Sequence, residues 1–286
     1  MIRDIAEMFQ NSFMVRALIG GILVSLCASL LGVSLVLKRY SMIGDGLSHV
    51  GFGALAVASA LGAAAPLHIA IPVVVASAFF LLRLSENSKI KGDAAIALIS
   101  TGALAIGITA ASVTGLNTDI NSYLFGSIIA MDRNDVILCI VLSIIILIMF
   151  VFFYNKIFAV TFDESFARAT GTKAGIYNMI IALLTALTIV VGMKMMGSML
   201  ISSLVIFPAV ISMRLCSRFK TVIITSAIVS VICFVIGLMA SYSYSLPTGA
   251  SIVIVNMIAL ILAVTIGHFT MRRNKRALKK HAEKKN

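Results

Sequence analysis

Long apolar runs separated by short polar segments fill the chain from residue 13 to residue 269. Since a hydrocarbon core about 30 Å thick needs about 20 apolar residues per helical crossing, we take nine runs as candidate spans: 13–37, 46–65, 67–84, 93–115, 134–154, 174–193, 197–213, 221–242 and 247–269. These runs are too long and too uniformly apolar for the alternating strands of a membrane barrel. The pattern predicts an all-α polytopic integral membrane bundle of about nine helices, or eight if one of the two short runs is re-entrant.

Composition supports a membrane protein and explains the net charge. Hydrophobic residues make up 60% of the 286 residues and charged residues only 12%, whereas about a quarter of a soluble domain is charged. The net charge of +12 does not indicate nucleic-acid binding, because eight basic residues lie in the last 15 positions, directly after the last span. A basic tail there is expected to contact the anionic headgroups of membrane lipid.

The distribution of Lys and Arg predicts the orientation. With nine spans and a cytosolic C-terminus, all but four of the 23 basic residues lie in inside loops or in the tail, as the positive-inside rule requires. We therefore expect an N-terminal interfacial segment at 1–12, one transmembrane domain at 13–270 and a basic cytosolic tail at 271–286. The second span is rich in Gly and Ala and is expected to pack inside the bundle.

Asp45 and His49 are the main candidates for chemistry, because ionisable groups are costly inside a bilayer. Their i, i+4 spacing places both side chains on one helix face, where a carboxylate oxygen and an imidazole nitrogen can share Zn²⁺ or Mn²⁺. Two ligands do not close a site, but a second copy on a two-fold axis would complete four. The segment alone leaves another reading open, in which Asp45 caps the helix and His49 bonds a neighbouring carbonyl.

Other polar or soft groups have simpler explanations. Ser48 and His49 are adjacent, so they point about 100° apart on a helix and cannot act as nucleophile and base. The methionines between 193 and 199 could meet a soft cation, but packing explains them equally well. Pro208, within a span, and Pro247, at the start of the last span, could each form a hinge or gate, or serve packing alone.

The source of energy is not in this polypeptide, since the chain has no glycine-rich phosphate loop ending in Lys-Ser or Lys-Thr. We therefore predict a transporter subunit and not an enzyme, driven by an ion gradient or by a partner. The inside loop at 160–173 is typical of a short amphipathic helix, with Thr161 or Asp163 as its cap and Gly171 at its end. Such a helix could dock an ATPase or lie at the membrane surface.

Six ordered motifs resemble one family. The most specific is a basic residue followed by Ser-x-x-Gly-Asp-x-x-Ser-His, met by residues 38–49. Further matches follow in order, at 91–96, 123–126, 162–171, 200–209 and 246–250. From Leu35 to about Val255 the chain resembles the permease subunits of zinc/manganese ABC importers, the ABC-3 family.

The resemblance implies an ABC importer permease fold in a bacterial cytoplasmic membrane and a specific set of partners. These are a second permease copy as a homodimer, two cytosolic ATPase subunits and an extracytoplasmic metal-binding protein. It implies that Asp45 and His49 are metal ligands, with no permanently bound cofactor because Zn²⁺ or Mn²⁺ (or iron) is the transported substrate. It also implies that the ATPase is coupled through Phe162, Asp163, Glu164, Ala167 and Gly171. The alternative hypothesis is a proton-coupled secondary metal transporter that acts without an ATPase.

Overall fold

Every described segment of this computed structural model is helical or a short connection. The structure describes residues 12–87, 92–115 and 133–283, and no strand occurs in these ranges. The helices are α1 (Ser12–Leu37), α2 (Ser41–Ala60), α3 (Pro66–Asn87), α4 (Gly92–Val113), α5 (Arg133–Phe162), α6 (Glu164–Ala169), α7 (Ala174–Met196), α8 (Ser198–Leu215), α9 (Phe219–Tyr244) and α10 (Thr248–Glu283). The predicted interfacial segment lies outside the described residues, apart from Ser12.

Each predicted span overlaps one long helix, but the boundaries of α2, α5 and α10 differ by five residues or more. Helix α2 begins at Ser41 and not at 46, so that Asp45 and His49 both lie within its first turns. Helix α5 continues past 154 to Phe162, and α10 continues through the basic tail to Glu283. Helix propensity explains the last extension, because the tail is rich in Lys, Arg and Ala and has no Gly or Pro after Gly267.

Seven helices in the described ranges are long and apolar enough to cross a membrane: α1, α3, α4, α5, α7, α9 and α10. The all-α, multi-pass prediction is confirmed. Helices α2 and α8 are not among these seven. In α8 the apolar stretch covers only Leu200–Leu215, which is shorter than a full crossing requires. Both bury most of their residues among the other helices, so nine crossings stays a prediction.

Helix α2 lies inside the bundle, as its small residues predict, and contacts α3, α4, α7 and α8. Its closest approach is to α4 of the same chain. A Cβ added at Gly53 would lie 2.4 Å from the Ala103 carbonyl oxygen, and one at Gly46 would lie 2.5 Å from Ile96. Only glycine therefore permits this spacing. In the structure these glycines pack α2 on α4.

Two ion pairs at opposite ends of the bundle agree with the orientation derived from charge. Lys38, between α1 and α2, lies 3.1 Å from Glu164, between α5 and α7, and both positions belong to predicted inside loops. Lys194 near the end of α7 pairs with Asp135 near the start of α5, and both are predicted to be outside. The structure thus brings together residues that the charge rule places on the same side.

The sulfur-containing side chains serve packing. Met193, Met195 and Met196 are at most 1% exposed and belong to the main apolar core, so the packing interpretation of these methionines holds. The four cysteines are free. Within the described ranges the cysteines join no group of three or more His, Cys, Asp or Glu side chains that could hold a metal ion.

Candidate functional site

Asp45 and His49 face each other across one turn of α2. The distance from Asp45 Oδ2 to His49 Nε2 is 3.7 Å, and the two side chains are 45% and 23% exposed. That separation is too long for a good hydrogen bond. It is close to the spacing of about 3.4 Å that two ligands have around a tetrahedral ion held at about 2.1 Å. The pair therefore has the geometry to share a cation.

The alternative roles proposed for these two side chains do not match the geometry. Tyr40 occupies the N-cap of α2 and no side chain caps the helix, so Asp45 is not the cap. The Nδ1 atom of His49 is buried and has no hydrogen-bond partner, so this nitrogen does not bond a carbonyl. Both side chains keep polar capacity that a ligand could use.

A residue that the sequence did not single out joins this pair. Ser202 of α8 places its Oγ 3.4 Å from Asp45 Oδ1 and 3.5 Å from Ser48 Oγ. The available signal was the i, i+4 pair of hydroxyls at Ser198 and Ser202 in an apolar helix. Ser48 donates to the Asp45 carbonyl at 2.7 Å, which agrees with a structural role and not a nucleophilic one.

One chain offers an incomplete set of ligands. In the described ranges no group of three or more His, Cys, Asp or Glu side chains could hold a metal ion. His68 is exposed near the start of α3 and does not join Asp45 and His49. A cation at this pair would need further donors, either serine hydroxyls, water or residues of another chain.

The predicted short helix in the inside loop is confirmed as α6. Asp163 is its cap and accepts a hydrogen bond from the Phe166 N–H at 2.9 Å, while Phe162 is the last residue of α5 and not part of α6. Gly171 has φ +82° and ends the turn that follows. Ala167 is buried against Val160 and Ala174.

The two phenylalanines of this loop are exposed. Phe162 is 70% exposed and Phe166 is 66% exposed, although the loop lies at the end of the bundle where the basic residues indicate cytosol. Large exposed apolar side chains outside the lipid region are typical of a surface that binds another protein.

Glu164 connects this loop to the rest of the bundle. Its Oε2 accepts from Lys38 and from Asn178 Nδ2, both at 3.1 Å, and its Oε1 accepts from Arg168 at 2.6 Å. Lys38 also donates to the Asn178 Oδ1. Partial burial opposes ionisation, but the bonds from Arg168, Asn178 and Lys38 outweigh it and lower the pKa of Glu164 to about 2. The contact is therefore fully ionic above the ordinary value of 4.5 and is lost only as pH falls through about 2.

The two predicted hinge prolines occupy different positions. Pro208 lies inside α8, which continues around it, and its carbonyl accepts from Ser212 Oγ at 2.6 Å. Pro247 directly precedes α10, and its carbonyl accepts the Ser251 N–H at 3.1 Å. Just before it, Ser245 has a left-handed backbone with φ 52°. For both prolines a role as hinge or gate stays a prediction.

Comparison with known proteins identifies the family. The model of the ABC 3 transport family matches residues 10–267. The chain belongs to this family. A probable metal transport system membrane protein of Thermotoga maritima is 32% identical, over 89% of this chain and 90% of its own length. The manganese import system permease protein ScaB of Streptococcus gordonii is 30% identical, over 89% and 91%.

A solved structure has the same fold. PsaBC from Streptococcus pneumoniae, determined in complex with Fab, contains a chain that superposes with a TM-score of 0.83 and 29% identity, over 92% of this chain and 95% of that one. Together with the family match, this makes the protein a multi-pass permease subunit of an ABC transporter in a bacterial membrane. ATP hydrolysis falls to separate subunits, and the transporter needs partner proteins.

Proposed function

We propose that this permease carries a divalent transition metal, Mn²⁺ or Zn²⁺, into the cell past Asp45 and His49. The observation that supports this most directly is the 3.7 Å separation of a carboxylate oxygen and an imidazole nitrogen on one face of an interior helix. Two relatives described as metal and manganese permeases support a metal as substrate. Family membership favours ATP as the energy source over a proton gradient.

The site would be completed by a second copy of the chain. Each copy brings one carboxylate and one imidazole, and four such donors satisfy a tetrahedral or more open cation site. A ligand set shared between subunits can open when they move apart, which suits transient binding in alternating access. An extracytoplasmic metal-binding protein would deliver the ion, and release would occur on the cytosolic side.

Helix α6 would be the element that meets the ATPase. Phe162 and Phe166 present apolar surface to it, Asp163 and Gly171 fix the ends of the turn, and Ala167 holds α6 against the bundle. Movement of α6 would then pass through Glu164 to Lys38. Since only Arg39 and Tyr40 separate Lys38 from α2, this contact leads directly to the helix that carries Asp45 and His49.

The test is uptake of radioactive Mn²⁺ and Zn²⁺ by proteoliposomes that hold the permease with its ATPase and binding protein. We expect uptake to require ATP, and Asp45→Ala and His49→Ala to lower it by about tenfold or more while the complex still assembles. His68→Ala is the matched control, because this histidine is exposed on α3 and makes no contact with the pair.

Two results would overturn the proposal. Wild-type uptake without ATP would show a secondary transporter. Normal uptake by the Asp45 and His49 variants would show that the ion passes elsewhere.

A further inference from the structure

We propose that Ser202 of α8 orients Asp45 in the metal site, offers its own oxygen to the ion, and so determines the preference of the site between Mn²⁺ and Zn²⁺. The inference rests on the proposed function and extends it to a second helix of the same chain. Neither the family match nor any motif in the sequence assigns a role to this hydroxyl.

The Ser202 hydroxyl is buried among polar atoms but bound tightly to none. Ser202 is 8% exposed. Its Oγ lies 3.4 Å from Asp45 Oδ1, 3.5 Å from Ser48 Oγ and 3.4 Å from the Ser198 carbonyl oxygen. All three distances are at the long end of the hydrogen-bond range. The hydroxyl is therefore able to turn toward a bound ion.

Unused polar atoms accompany this hydroxyl on both helices. On α2, the Nδ1 of His49 is buried without a partner. On α8, Ser198 lies one turn before Ser202, is 0% exposed, and its Oγ also has no partner. Buried polar atoms without partners are rare because each keeps a desolvation cost. A hydrated or partly hydrated cation between α2 and α8 would give the Ser198 hydroxyl a partner, whereas the lone pair of His49 Nδ1 diverges from that of Nε2 and cannot bind the same ion.

Ser202 also orients the carboxylate. Its contact is to Oδ1 of Asp45, whereas the other oxygen, Oδ2, is the one that faces His49 Nε2. A hydroxyl that donates to Oδ1 leaves Oδ2 as the ligand atom and fixes its direction. Partners that orient a ligand in this way affect metal affinity by about 10–100-fold.

The consequence for selectivity follows from the chemistry of the donor. A serine hydroxyl is a hard oxygen, and carboxylate, carbonyl and water oxygens suit Mn²⁺. Zn²⁺ is satisfied by four ligands and accepts softer donors. Loss of the hydroxyl should therefore weaken Mn²⁺ binding more than Zn²⁺ binding, and a thiol at this position should favour Zn²⁺.

Ser203 provides a matched control. It is the next residue and is equally buried at 8%, but its Oγ donates to the Leu200 carbonyl of its own helix at 2.9 Å. Removing this hydroxyl makes the same change in volume and burial without touching Asp45. The comparison therefore separates a role in the site from a role in packing α8.

The experiment measures Mn²⁺ and Zn²⁺ binding, by competition titration, to the assembled transporter in lipid nanodiscs. We expect Ser202→Ala to lower the Mn²⁺ to Zn²⁺ affinity ratio by about tenfold, and Ser203→Ala to leave it unchanged. Ser202→Cys keeps a group of similar size and should move the ratio further toward Zn²⁺, which provides a test even if the alanine variant assembles poorly.

The outcomes distinguish this inference from the proposed function. If Asp45→Ala abolishes binding but Ser202→Ala and Ser202→Cys keep the wild-type ratio, Ser202 has no part in selection and only this inference fails. If Asp45→Ala also leaves binding intact, the site itself is misplaced and both fail. A ratio that changes equally in Ser202→Ala and Ser203→Ala would show a packing effect and would overturn the role of Ser202.

Discussion

At the scale of single residues, Asp45 and His49 would contribute different things to the ion that we propose they share. The carboxylate supplies negative charge, which offsets the cost of a divalent cation in the bilayer interior. The imidazole supplies a neutral nitrogen that most transition metals accept. Because both would bind one ion under this proposal, neither would hold it well without the other.

This interdependence predicts that the effects of substitution are not additive. The double variant Asp45→Ala/His49→Ala should transport no more slowly than the worse of the two single variants, since the first loss already empties the site. Initial uptake rates at several metal concentrations would measure this. As a control, His49→Ala combined with His68→Ala should show the product of the two separate effects, and additive losses at Asp45 and His49 would mean separate roles.

Sequence reasoning identified this pair but not its surroundings. The spacing of Asp45 and His49 is local, so a helix period is enough to place them on one face. Ser202 is 157 positions from Asp45, and Glu164 is 126 from Lys38. Contacts of this kind depend on how the helices pack, and a single sequence contains no period that reports it.

At the scale of elements, the sequence predicted which helices form better than where they end. The pattern of apolar runs predicted every long helix in the described ranges, and the Asp163 cap and Gly171 predicted α6. The predicted ends of α5 and α10 were wrong, because hydropathy shows only where the apolar, lipid-facing part of a helix ends. A helix continues into water wherever its residues favour it, as they do around Lys156 and after Arg272.

The Lys38–Glu164 contact predicts an uncoupled variant. Lys38→Met keeps the length of the side chain but removes its bonds to Glu164 and Asn178, so movement of α6 should no longer reach α2. We expect ATP hydrolysis to continue while metal uptake per ATP falls severalfold, measured by both assays on the same proteoliposomes. Lys173→Met is the control, because Lys173 is an exposed lysine in the loop that carries α6, and as the N-cap of α7 its side chain makes no capping hydrogen bond. If metal uptake per ATP hydrolysed were the same in the Lys38→Met and Lys173→Met variants, the role of Lys38 would be contradicted.

At the scale of the whole molecule, the two ends of the bundle are chemically distinct. One end carries α6 and the Lys38–Glu164 contact, and the other carries the Lys194–Asp135 pair. The charge rule assigns the first end to the cytosol. This assignment underlies the direction of transport and the side on which an ATPase can bind.

Labelling with a membrane-impermeant maleimide tests the orientation. In a variant whose four native cysteines are replaced, Phe166→Cys should react only in inside-out vesicles, because this exposed side chain lies on the cytosolic end. His68→Cys should react in intact cells, since His68 lies at the start of α3, on the side of the membrane predicted to be outside. The reverse pattern would invert the topology.

The glycine contact between α2 and α4 constrains how this permease can move. A Cβ at Gly107 would lie 2.7 Å from the Gly53 Cα, and one at Gly53 would meet the Ala103 carbonyl, so the two backbones interlock without side chains between them. Such a contact leaves little freedom for sliding, because any shift brings backbone against backbone. We expect α2 and α4 to travel as one rigid body during the transport cycle. The rearrangement that opens the path would then occur at another contact of α2, such as the one with α8.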